Sequence, residues 1–78
     1  MFNYSNEYIL AITEKDAYPG FVKTDDDLDF LRLYTIEFGN CNIDEDLIKP
    51  YKDMIKVRPF TTDVKKNTIL SIYILPKI

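Results

Sequence analysis

The sequence predicts an α+β domain: a small, mostly antiparallel sheet of 3–5 strands with one helix, about 44–56, packed on it. Three observations point there. Residues Glu7–Glu14 and Thr68–Leu75 read as strands rich in β-branched and aromatic side chains. Between them, Ile43, Leu47, Ile48, Tyr51, Met54 and Ile55 recur at the spacing of an amphipathic helix. The chain has 78 residues, 46% of them hydrophobic, which suits one compact core and places residues 1–78 in a single domain.

In the first strand Tyr8, Leu10 and Ile12 share one face, and Ile9, Ala11 and Thr13 the other. Both faces are apolar, so a central position in the sheet is expected. Asp16-Ala17-Tyr18-Pro19-Gly20 then reads as a reversal, with Pro19-Gly20 the signal of a type II turn. Phe21-Val22-Lys23 follows as a short returning strand.

Asp25, Asp26 and Asp27 suit a first helical turn after Thr24. Leu28, Leu31 and Tyr34 or Thr35 also fit one helix from Thr24 to a stop at Gly39-Asn40, while the alternation from Leu31 to Phe38 favours a helical turn or loop at the aspartates followed by a strand. The helix over 44–56 begins on Asp44, Glu45 and Asp46 and carries Lys49, Lys52 and Lys56 later, as the helix dipole prefers. Pro50 predicts a kink or a late start near Lys49. Phe60–Thr62 is expected to be extended, residues 63–67 to form a polar turn, and Pro76 to stop the last strand.

Composition excludes several kinds of chemistry. The chain has no His and one cysteine, Cys41. It therefore offers no internal disulfide, no multi-cysteine zinc site and no Ser–His or Cys–His pair. Cys41 is expected to be a small buried residue. A disulfide-free chain of this size fits a reducing cytoplasm. No signal peptide and no apolar run of spanning length is evident. Gly20 and Gly39 are the only glycines, too few for a phosphate-cradling loop. Counted from Asp25 as a calcium loop, the sixth position is Phe30 and the twelfth is Ile36, where Gly and Glu are needed. No cofactor, metal site or catalytic residue is expected.

Charge is unevenly divided. Residues 1–46 hold eleven acids and three bases; residues 47–78 hold two acids and seven bases, within a net charge of −3. The expected function is therefore that of a small non-catalytic protein-binding or inhibitor protein, of the accessory, anti-defence or immunity type that bacteriophages and mobile elements carry. An acidic patch of Asp25, Asp26, Asp27, Asp29, Asp44, Glu45 and Asp46, with Tyr18 as an aromatic contact, would block a basic site on a nuclease or other nucleic-acid enzyme. A homodimer is compatible with this reading. The alternative is a nucleic-acid-binding module using the basic C-terminal third, with Lys49, Lys52, Lys56, Arg58, Lys65 and Lys66 beside Tyr51 and Phe60.

Overall fold

The computed structural model describes residues 3–24 and 28–78. Five antiparallel strands form one sheet: β1 (Glu7–Thr13), β2 (Ala17–Val22), β3 (Phe30–Tyr34), β4 (Thr61–Lys65) and β5 (Ile69–Leu75). Their order across the sheet is β4-β3-β2-β1-β5. A layer between β3 and β4 carries a 3-10 turn (Thr35–Asn40), the helix α1 (Glu45–Ile48) and a second 3-10 turn (Lys49–Met54). The architecture is the small α+β fold that the sequence predicts.

β1 is central, between β2 and β5, which explains its apolar character on both faces. Tyr8, Leu10 and Ile12 pack with Leu75 and Cys41 under the 35–60 layer, whose Leu47, Ile48, Met54 and Ile55 cover them. Ile9 and Ala11 pack on the opposite face with Val22, Leu31, Leu33 and Val64. Ile69 and Ile72 of β5 join that second cluster. Side chains from both edge strands thus meet in one core, so the sheet must be rolled.

The connection from β4 to β5 says the same. These strands lie at opposite edges, yet only Lys66–Thr68 joins them. Four flat inter-strand steps would separate the edges by about 19 Å. Three residues of 3-10 helix advance only about 6 Å. The sheet closes that gap by curling.

Several local expectations give way to tertiary contacts. Asp16–Gly20 is not a turn: β2 runs straight through Pro19 and Gly20. The chain reverses one step earlier, where the Thr13 hydroxyl accepts from the Asp16 amide at 3.0 Å and the Thr13 amide donates to the Asp16 carbonyl at 2.8 Å. Gly20 answers to packing: a Cβ there would lie 2.6 Å from the Leu33 Cβ. β2 meets β3 in one bridged pair, Phe21 with Tyr34, and Pro19 lies outside it.

The strand expected over 31–38 ends at Tyr34, because Thr35 turns the chain into a 3-10 helix. The polar turn expected over 63–67 is mostly β4. Its Asp63 and Lys65 point outward while Val64 is buried, the pattern of an edge strand with one wet face. Asp63 faces Arg32 across the ladder and accepts from its Nε and Nη2 at 2.8 and 3.0 Å. That pairing holds the Asp63 carboxyl below its ordinary pKa. The helix expected over 44–56 is present as one α-helical turn that tightens to 3-10 at Lys49, with Pro50 at the start of the tighter segment, where a missing amide hydrogen leaves no bond unmade.

Candidate functional site

Among the described residues, the acids singled out by sequence sit on two different segments, Asp29 just before β3 and Asp44–Asp46 at the start of α1. Asp25, Asp26 and Asp27 lie outside the described residues. Asp29 is exposed just before β3, and its carbonyl accepts from the Lys66 amide at 2.7 Å. It shares a shallow depression of about 430 Å³ with Leu28, Lys65, Lys66 and Asn67, so cations of the chain itself stand beside it.

Asp44, Glu45 and Asp46 are exposed together at the start of α1. There Asp44 caps the helix, with Oδ1 accepting from the Asp46 amide at 2.9 Å. Glu45 and Asp46 occupy the first turn, where the dipole favours negative charge. Part of this acidity therefore stabilises the helix that carries it.

Tyr18 sits elsewhere again, half-buried on β2 and packed against the second core cluster. Its hydroxyl donates to Asp16 Oδ2 at 3.0 Å, and burial followed by that bond pushes its pKa up. It lines a cleft of about 530 Å³ between the β1–β2 corner and the β4–β5 connection, together with Glu14, Lys15, Asp63, Lys65 and Leu70. The charges around this cleft are mixed.

The basic candidates fare similarly. Lys49, Lys52, Lys56 and Arg58 are exposed on the 35–60 layer. Tyr51, the expected stacking ring, is engaged instead with Tyr73: the centroids are 5.9 Å apart and the two hydroxyls 3.2 Å. Cys41 is buried and its Sγ lies 2.9 Å from the Phe38 carbonyl; burial raises its pKa, away from the thiolate that a nucleophile needs. Among the described residues no cluster of His, Cys, Asp and Glu is arranged to hold a metal ion, and no helix is long and apolar enough to cross a membrane.

Another exposed surface surrounds Phe60, which the sequence offers only as a stacking ring beside the basic residues. Phe60 is 72% exposed, and beside it Ile36 and Val57 are 74% and 62% exposed. With Thr35, Arg58 and Pro59 these residues line a single open depression of about 430 Å³. Phe60 also has a left-handed backbone, φ 69°. Asn6 shares that sign, but Asn adopts it readily, whereas a bulky aromatic residue does so only under constraint.

The constraint is Thr35. Its amide donates to the Phe60 carbonyl at 2.9 Å. Its buried hydroxyl points at two carbonyls, those of Arg58 and Phe60. Replacing Thr35 by Val keeps the shape and removes the hydroxyl. Urea unfolding of Thr35→Val is expected to show a loss of about 1–2 kcal/mol, because the carbonyls left behind lose a donor. No local signal marks this site: a ring after Arg-Pro reads as a core residue entering a strand until the 3-10 turn across from it is in place.

Comparison of the chain with protein families, with curated proteins and with solved structures finds no match.

Proposed function

We propose that this chain is a non-catalytic protein-binding module that docks through Phe60, with Ile36 and Val57 around it, and acts as an inhibitor or accessory of its partner. The observation that carries this reading is a large apolar ring held out in solvent on a strained backbone. Strain of this kind costs about 1–3 kcal/mol and persists where the surroundings enforce it, most often at binding sites. Rigid aromatic anchors with apolar neighbours are also what interface hot spots are made of.

The partner is expected to carry an apolar pocket within a basic surface. A net charge of −3, with Asp44, Glu45 and Asp46 outward on the same 35–60 layer, favours encounter with a cationic protein. A nuclease or other nucleic-acid enzyme fits, since cations that hold phosphates also hold carboxylates. Asp29 and Asp25–Asp27 would extend the charged contact in this reading.

The test is photo-crosslinking from a benzoylphenylalanine placed at position 60, in extract of the source organism, with identification of what is captured. One protein should dominate. Its retention by the unmodified chain should fall at least about 30-fold with Phe60→Ala, the size of a hot-spot loss. Equal retention by Phe60→Ala would remove the basis of the proposal. Salt-sensitive retention of mixed DNA or RNA that requires Phe60 and Arg58 would replace the protein partner with a nucleic acid.

A further inference from the structure

The two edges of the sheet are not alike. β4, at one edge, is short and carries Asp63 and Lys65, the charges that commonly keep edge strands from pairing with other chains. β5, at the other edge, reads Ile69-Leu70-Ser71-Ile72-Tyr73-Ile74-Leu75 without a charge, and proline comes only after its last residue. Its inner side pairs with β1 from Thr13–Ile69 to Tyr8–Leu75. Beyond that ladder, the one backbone hydrogen bond seen at residues 69–75 among the described residues runs from the Ile69 amide to the Lys66 carbonyl, at the start of the strand. Leu70 and Ile74 are 71% and 55% exposed along it.

We propose that two copies of this chain pair edge to edge through β5, antiparallel about a two-fold axis at Ile72, so that two five-stranded sheets become one of ten. A second copy is the occupant because the strand is its own complement. With Ile72 opposite Ile72, Ile69 faces Leu75, Ser71 faces Tyr73, and each exposed Leu70 faces an exposed Ile74. Leu70 is the extra residue at a break in the β1–β5 register, so its face does not follow from alternation; in this register it is the exposed side chain opposite the exposed Ile74 in both halves of the contact.

No charge opposes a like charge anywhere along the seven pairs, although each chain is net negative. The shift in the β1–β5 register at Ile12/Thr13 leaves Leu70 as an extra residue outside that ladder. Ser71–Tyr73 is the regular part of the new one, since Ile74 and Leu75 of each copy face the bulged end of the other. Seven residues a side form an interface below the standard size of about 1,200 Å² at the low end, so the dimer is weak and concentration-dependent.

The test is sedimentation equilibrium from about 1 μM to about 1 mM, the range over which weak association of this kind appears. The mass should rise from 9.2 kDa toward twice that value. Ile74→Lys should hold the mass at 9.2 kDa at every concentration, with circular dichroism confirming the fold; if that variant unfolds, Leu70→Lys, at a more exposed position, takes its place. Thr61→Lys on β4 and Phe60→Ala should both dimerise like the wild type, the latter separating this contact from the docking surface. A wild-type mass fixed at 9.2 kDa, association unaffected by a lysine on β5, or association lost with Thr61→Lys or Phe60→Ala would each overturn the proposal.

Discussion

A Phe60→Gly variant is expected to melt higher than the wild type while losing the docking proposed for that ring. Phe60 holds φ 69°, a region that crowds the Cβ of any L-residue by about 1–2 kcal/mol and that glycine occupies freely. The ring is mostly in solvent, so its removal forfeits little burial. Glycine returns part of the gain as extra freedom in the unfolded chain. A net gain of about 0.5–1 kcal/mol remains, which in a domain this size moves the melting temperature up by about 3–6 °C.

Phe60→Ala separates the two effects. It keeps the Cβ, and with it the strain, but loses the ring. It should bind as poorly as Phe60→Gly without the gain in stability. Differential scanning calorimetry on the two variants reads this directly. A Phe60→Gly protein less stable than Phe60→Ala would mean that the backbone at this position is not strained.

The largest loss of stability is expected from Gly20→Ala. The added methyl would meet the Leu33 Cβ at 2.6 Å and the Leu33 Cα at 3.2 Å. Neither atom can rotate aside, since both are fixed by the β3 backbone. Trimming Leu33 to Ala would not help, because its Cβ remains. Overpacking of this kind costs about 3 kcal/mol when relief requires strands to part. Total stability for 78 residues is on the order of 4–12 kcal/mol, so much of the margin would go. Gly39→Ala is the control: no atom lies within 4 Å of its new methyl. Chemical denaturation should show Gly20→Ala strongly destabilised and Gly39→Ala close to wild type. Near-identical curves would mean that β2 and β3 are not so closely opposed.

These two glycines also show where a sequence stops being legible. β1 and β5 could be read because their alternation is a property of consecutive residues. The 44–56 segment could be read because its apolar spacing and its prolyl break are equally local. Pro19-Gly20 could not. The pair carries a turn signal, and what overrides it is Leu33, thirteen residues on and one strand away. Asp63-Val64-Lys65 looked like a turn for the same reason: its partner Arg32 lies on another strand.

The candidate site follows the same division. Asp44, Glu45 and Asp46 were legible both as charge and as the dipole-favoured start of a helix; what the fold adds is the cap itself, Asp44 Oδ1 accepting from the Asp46 amide. Phe60 was visible as a ring, and nothing in its neighbours announces that the ring stands in water. Its exposure depends on Thr35, twenty-five residues earlier, fixing the carbonyls of Arg58 and Phe60.

The pairing of β1 with β5 has a consequence for how the chain is made. Of the strands in this sheet, the first to be made needs the last as its neighbour. Until residues 69–75 emerge, a nascent chain leaves one side of β1 unladdered and lacks Ile69 and Ile72 from the cluster around Ile9 and Ala11. Folding is therefore completed after translation of the domain, and chaperones have their opening in the interval before the last strand arrives.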